Sequence, residues 1–167
     1  MRTLIILLFI SFSGFSQTYS ELMSINSLQT FKKVCLENGY ESINLTEVLE
    51  SILEEGTEAT SRDGTDMSSF VTYSYQNTPR VGNWNTETET FAFTYPKNVF
   101  LEILMGEDEK SVFQEITDDI KRNCKFYKVV SEGDVEFVTY SCSQSLYKGK
   151  IGFAVKGDIE VIRTFNE

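Results

Sequence analysis

The chain has 167 residues, with 25 acidic and 15 basic side chains and a net charge of −10 at pH 7. This acidic balance argues against nucleic-acid binding, which needs clustered positive charge. There is no histidine, so the commonest general base and a favoured zinc ligand are both missing. With no motif for either, we predict no cofactor and no metal site.

The first 16 residues have the pattern of a cleaved signal peptide. Arg2 precedes an apolar run over residues 4–10, and Gly14 and Ser16 supply the small side chains before a cleavage site. The rival interpretation, a membrane anchor, needs about 20 apolar residues, more than this run offers. We therefore predict a mature protein that begins at Gln17, is secreted or periplasmic, and forms a single domain over residues 17–167.

One strand motif occurs twice. Residues 70–76 and 137–143 combine β-branched and aromatic side chains with two-residue alternation, and residues 70–74 are identical to 137–141. This pattern predicts strands. The match extends in both directions, so it predicts one domain made of two repeats, over about 26–105 and 111–165.

Each repeat begins with a predicted helix. Residues 26–39 would be capped by Asn26 with Gln29 as its reciprocal partner, and would end at Gly39. The second helix would be capped by Ser111 with Gln114 and would end at residues 123–124.

Short strands follow each predicted helix. In the first repeat a strand over 40–43 precedes a small helix from residue 44 to Gly56, a polar loop over 57–66 and the shared strand; a loop over 77–86 and strands over 90–95 and 99–105 come next. In the second repeat the strands are 125–130, 137–143, 150–155 and 159–165, the last burying Ile159, Val161 and Arg163. The predicted fold class is α+β: a tandem repeat of a helix followed by about four antiparallel strands, with both helices packed on one face of the sheet.

This order of elements resembles that of the secreted β-lactamase inhibitory proteins, and each half resembles a cystatin. The resemblance covers the order of elements and includes no shared motif, so no functional residue is carried over from it.

Three cysteines in an exported chain indicate one disulfide and one thiol. Aligning the repeats places Cys35 on Ile120, a position facing the core, which predicts a buried free thiol. Cys124 and Cys142 align with Gly39 and Tyr75, so the second repeat has both cysteines where the first has neither. We therefore predict a Cys124–Cys142 disulfide, with the ring of Tyr75 covering Gly39 at the matching junction. A redox pair is disfavoured because no Cys-x-x-Cys spacing occurs.

The loop over 77–86 holds the only tryptophan, Trp84. Tryptophan is enriched at binding hot spots, and functional residues concentrate on loops. The binding candidates are therefore Trp84, Arg80, Asn83 and Tyr75, although Trp84 could instead fold back onto the sheet edge.

Acidic side chains are concentrated in residues 37–119, with 18 acidic against 4 basic, whereas residues 120–167 hold 6 against 8. This asymmetry fits either a solvated acidic face or a surface for a basic partner.

These features predict a non-enzymatic, inhibitor-like binding module with a protein or cell-surface partner, no nucleic-acid ligand and no membrane span. One alternative is a carrier of a small apolar ligand between helices and sheet, suggested by the aromatic residues Phe91, Phe93, Tyr95 and Phe100. A second alternative is a carboxylate-dependent hydrolase, for which no motif singles out the catalytic pair.

Overall fold

Eight antiparallel strands form one sheet in the computed structural model, which describes residues 17–43, 69–75, 80–96 and 111–166. The strand order is β1-β2-β3-β4-β8-β7-β6-β5. The helices are α1 (Tyr19–Ser24), α2 (Leu28–Glu37) and α3 (Val112–Asn123). The strands are β1 (Tyr40–Ile43), β2 (Phe70–Tyr75), β3 (Val81–Asn85), β4 (Thr90–Pro96), β5 (Lys125–Glu132), β6 (Val135–Ser141), β7 (Lys150–Lys156) and β8 (Ile159–Phe165).

The predicted fold class is wrong. The described residues form a single eight-stranded antiparallel sheet with three helices, of which only two have seven or more residues, and not a tandem repeat of a helix plus four strands. The repeat alignment matched residues 90–95, which form β4, with residues 150–155, which form β7. In the sheet, however, β4 pairs with β8, and these two strands lie at the centre. The predicted signal peptide, small helix, polar loop and strand over 99–105 lie outside the described residues.

Strand β3 occupies residues that the sequence assigned to a loop. The repeat alignment placed these residues in a loop longer than its counterpart in the second repeat, and Gly82 and Asn83 are of types that are depleted in strands. In the structure a side chain at position 82 would lie 2.8 Å from Cε1 of Phe93 and 3.3 Å from the sulfur of Cys35. Gly82 therefore lets the Phe93 ring pack against the backbone of β3, and the strand forms around that contact.

The predicted cap of α2, Asn26 with Gln29, is wrong by one residue, whereas that of α3 is confirmed. Ser27, not Asn26, is the N-cap of α2, and its side chain accepts from the backbone N–H of Thr30. In α3 the predicted pair is confirmed, since Ser111 and Gln114 bond each other reciprocally. Gly39 follows α2 with φ of 76°, a conformation that glycine adopts without strain.

The core centres on Phe31 of α2. Its ring centroid lies 5.5 to 6.3 Å from those of Tyr73, Trp84, Phe91 and Phe93, all buried side chains of strands β2 to β4. From α3, Phe113 packs against Tyr95 and Phe153.

Sheet register separates two faces. One row of paired residues, which belongs to the core face, consists of Val129, Val138, Phe153, Ile162, Phe93, Gly82 and Tyr73. The adjacent row belongs to the opposite, outer face and consists of Lys128, Thr139, Gly152, Arg163, Ala92, Asn83 and Thr72. The predicted burial of Ile159, Val161 and Arg163 is wrong, because β8 buries the alternate residues Glu160, Ile162 and Thr164.

No helix in the described ranges is long and apolar enough to cross a membrane.

Candidate functional site

Trp84, the central binding candidate from the sequence, lies in the core. Its side chain is 3% exposed, stacks on Phe91 and contacts Phe31. The alternation of β3 explains this position, since Gly82 and Trp84 face the core while Asn83 faces outward. The Trp84 ring therefore offers almost no surface to a partner in this conformation.

Among the other candidates, the structure brings Tyr75 and Arg80 together. Arg80 Cζ lies 5.1 Å from the centroid of the Tyr75 ring and 5.8 Å from that of Tyr95. The backbone N–H of Tyr75 also donates to the carbonyl of Arg80. Asn83 lies apart on the outer face, where its side-chain oxygen accepts from the hydroxyl of Thr72 at 2.8 Å. The four candidates thus do not form one site.

The predicted disulfide is confirmed. Cys124, directly after α3, is bonded to Cys142 with their Cα atoms 4.4 Å apart. Cys35 is a buried free thiol, and burial raises its pKa to about 12. At the other junction, a side chain on Gly39 would lie 3.3 Å from the ring of Tyr75, so that ring covers the glycine as predicted.

A cluster of cations and rings lies on the outer face of strands β5 to β8. Lys150 Nζ is 4.9 Å from the centroid of the Tyr127 ring, and Lys128 Nζ is 5.3 Å from it. Tyr127 sits where the register between β5 and β6 shifts, and the extra residue places its ring beside these two lysines. The Tyr127 side chain is 52% exposed. We call this cluster the basic-aromatic face; its members are Tyr127, Lys128, Phe137, Lys150, Arg163 and Phe165. Of its three rings only that of Tyr127 is exposed, since Phe137 is buried and Phe165 is half-buried.

Arg163 packs against two rings of the basic-aromatic face, those of Phe165 and Phe137. Its guanidinium carbon lies 4.7 Å from the centroid of Phe165 and 5.7 Å from that of Phe137, and its charge pairs with Glu132. Gly152 leaves room for this arrangement, because a side chain there would lie 2.7 Å from the Phe165 ring. The stacked arginine is held in a fixed orientation, as is typical of arginine at binding surfaces.

The basic-aromatic face borders an exposed strand edge. Within the described residues β5 is at one end of the sheet and pairs only with β6. Phe126, Tyr127 and Val129 of β5 are all large, apolar and at least half exposed. A long edge with such side chains is suited to binding another chain, and lysines such as Lys125 and Lys128 are a common means of keeping such edges from aggregating.

The sequence analysis missed this face for two reasons. It treated Arg163 as an inward residue, because the repeat alignment matched Ile159, Val161 and Arg163 with the apolar residues 99, 101 and 103. It also took the bulge residue Tyr127 as part of a regular strand. The signal available was the positive balance of residues 120–167, which includes every cation of the face.

Two other features bear on chemistry. The described residues contain no group of three or more histidine, cysteine or carboxylate side chains placed to hold a metal. A surface cavity of about 530 Å³ is lined by polar and aromatic residues that include Asn26, Thr88, Glu89, Tyr147, Lys148 and Asn166. Neither observation favours the carrier of an apolar ligand or the carboxylate-dependent hydrolase, and both stay predictions. For the carrier, the Phe31 ring occupies the space between α2 and the sheet that a bound ligand would need.

Comparisons with protein-family models, with curated proteins and with solved structures found no match. The resemblance in order of elements to inhibitory proteins therefore gains no support from them.

Proposed function

We propose that the protein is exported after cleavage behind Ser16 and acts as a non-enzymatic binding module, secreted or periplasmic. Its partner would be an acidic segment of another protein, bound on the basic-aromatic face. The observation that carries this proposal is the clustering of Lys128, Lys150 and Arg163 with the exposed ring of Tyr127 and the half-buried ring of Phe165 on one face of a chain whose net charge is −10. In a chain with more acidic than basic residues, such clustering is a local feature that the overall composition does not explain.

The chemistry of the face suits an acidic partner. Lysine and arginine attract carboxylates over a Debye length of about 8 Å at physiological ionic strength, which would favour encounter. Tyr127 adds a large ring with few rotatable bonds, the kind of side chain that contributes most to interface free energy. The export half of the proposal is supported by the disulfide, which is typical of oxidising compartments.

A charge-reversal experiment tests the binding face. Wild type, a K128E/K150E variant and a K32E/K33E control would be immobilised and exposed to the extracellular and periplasmic proteins of the host. The two variants change net charge equally, but Lys32 and Lys33 lie on α2, away from the face. We expect partners retained by wild type and control to be lost from K128E/K150E, with binding at least about tenfold weaker, or about 1.4 kcal/mol.

The same proteins would then be tested with Y127A, which keeps every charge. A loss of about 2 kcal/mol in binding free energy is expected if Tyr127 is a hot spot. Retention of the same partners at the same affinity by wild type and both face variants would rule out this face as the binding surface.

A further inference from the structure

The first residue expected in the mature chain, Gln17, lies in a buried polar environment. Gln17 is 3% exposed, and its side-chain oxygen Oε1 accepts from the hydroxyl of Tyr95 at 2.5 Å. Its amide nitrogen Nε2 is buried and has no hydrogen-bond partner within the part of the chain that the structure describes. One end of the same amide is therefore satisfied and the other is not.

Cleavage after Ser16 would add a second unfavourable group at this position. It creates an α-ammonium on Gln17, next to a side chain whose polar atoms are buried, and any part of that cation that the fold keeps from water is unfavourable unless a partner compensates it. A buried amide donor without an acceptor is unfavourable for the same reason. Both groups, the ammonium and Nε2, belong to one residue, and one reaction removes both.

We propose that Gln17 of the exported protein is a pyroglutamate, an inference that rests on the export and cleavage proposed above. The α-amino nitrogen attacks the side-chain carbon Cδ, so an N–Cδ bond forms and the Cδ–Nε2 bond breaks. Nε2 leaves as ammonia and carries away a proton from the amine. The reaction consumes no oxidant, reductant or water, and because it is intramolecular, no reagent has to reach the buried site.

The product keeps the polar group that makes a contact in the structure. The atom lost is Nε2, which has no partner among the described residues, whereas Oε1, which accepts from Tyr95 in the open form, is kept as the ring carbonyl and can still accept a hydrogen bond. Burial raises the pKa of Tyr95 well above its usual value, so its hydroxyl stays protonated and able to donate. The terminus becomes a neutral amide in place of a cation.

Glu160 is the residue that could keep Gln17 in its open form. It is buried and pairs in register with Tyr95 across β4 and β8, so a carboxylate lies in the same region of the core face. A terminal ammonium held by such a carboxylate would stay charged, and Gln17 would then keep its open form.

Mass analysis of the exported protein distinguishes these outcomes. The full chain would be expressed in a host that exports it, and the product would be unfolded and reduced before measurement. We expect the mass of residues 17–167 less one ammonia. Stepwise N-terminal sequencing should be blocked, and after treatment of the unfolded chain with pyroglutamyl aminopeptidase it should begin at Thr18.

The alternatives are separable. Cleavage after Ser16 with a readable Gln17 would overturn the cyclisation and leave export intact. A chain that still carries residues 1–16, or one cut at another position, would overturn both. A Q17N variant is the matched control, since asparagine cannot close the five-membered ring. It should give a readable first residue and a lower melting temperature than wild type, because its terminus stays charged and its shorter side chain does not reach the hydroxyl of Tyr95. An unchanged melting temperature would show that the fold tolerates a charged terminus at this position, and the structural reason for the modification would then be lost.

Discussion

The C-terminal ends of α2 and α3 are held by different contacts in the two halves of the sheet, β1 to β4 and β5 to β8. Beside strands β1 to β4, the end of α2 is closed by an aromatic contact, with the Tyr75 ring over Gly39. Beside strands β5 to β8, the end of α3 is closed by the Cys124–Cys142 disulfide. The first half also buries large rings around Phe31, whereas β5 ends the second half with exposed side chains. A covalent bond thus occurs in the half with the smaller aromatic core, and that half also presents the basic-aromatic face.

The largest effect is expected from the aromatic core of the first half. F31A removes a fully buried ring that packs against Tyr73, Trp84 and Phe93. Such truncations lower the free energy of unfolding by about 3–5 kcal/mol. F113A, which removes a ring packed on Tyr95 and Phe153, should lower it by less.

Urea unfolding followed by circular dichroism would measure both values. L36A, at a side chain that is 61% exposed on the same helix as Phe31, is the control and should change stability by no more than about 0.5 kcal/mol. If F113A proved as destabilising as F31A, the aromatic cores of the two halves would contribute equally to the free energy of unfolding. The proposed difference between the halves would then be wrong.

The next effect concerns the disulfide of the second half. C142S should lower the free energy of unfolding by about 3 kcal/mol, because the bond closes a loop with a sequence separation of 18. Reducing agent should destabilise wild type by a similar amount and leave C142S unchanged. The fold should survive, since the stripe of α3 with Phe113, Ile116 and Ile120 stays buried.

Alkylation and peptide mapping check the pairing behind that prediction. Without reduction, the peptides of Cys124 and Cys142 should be recovered linked. Cys35 should be alkylated only after unfolding, because it is buried and its pKa of about 12 keeps the thiol protonated at neutral pH. A linked peptide containing Cys35 would contradict both assignments.

A smaller effect compares one glycine from each face. In G82A the new methyl carbon would lie 2.8 Å from Phe93, a fully buried ring enclosed by other rings. Overpacking of this kind typically destabilises by about 1–3 kcal/mol. In G152A the methyl carbon would lie 2.7 Å from the ring of Phe165 and 2.9 Å from the methyl carbon of the buried Thr139, so this variant is overpacked as well. The Phe165 ring, however, is only partly buried and can shift, unlike that of Phe93.

Thermal unfolding of the two variants measures this difference, and we expect G82A to melt at the lower temperature. The reverse order would mean that the outer face is packed as tightly as the core. G152A should also weaken partner binding, because the displaced Phe165 ring contacts Arg163.

Local signals in the sequence predicted the elements whose cause is local. The cap of α3 at Ser111, the end of α2 at Gly39 and the shared strand motif each depend on a few neighbouring residues, and each lies where the sequence placed it. The disulfide was also found, because Cys124 and Cys142 align with a glycine and a tyrosine that meet at the other junction.

Tertiary contacts decided what the sequence did not predict. Gly82 looked like a loop residue, and only the approach of the Phe93 ring explains why β3 forms there. Arg163 was placed inward by the repeat alignment. The face of its side chain is set by the pairing of β8 with β4 and β7, which the sequence does not show. The basic-aromatic face depends on these registers, so the sequence pointed to Trp84 instead.

The smallest effect is expected at the tip of the β5–β6 hairpin, in the second half. A hydrogen bond and the positive charge of Lys156 lower the pKa of Asp134 below its usual value. A carboxyl group whose pKa is lower in the folded state stabilises the fold above its unfolded pKa, and this contribution is lost as pH falls through the folded pKa. Stability should therefore decline slightly more in acid for wild type than for D134N, which cannot titrate. Because both partners are exposed, the difference should be small and should shrink in high salt. An NMR titration of the Asp134 carboxyl in wild type and in K156A would measure the pKa shift behind this difference. The titration midpoint should rise in K156A, and an identical midpoint in both proteins would show that Lys156 does not bind the carboxylate in solution.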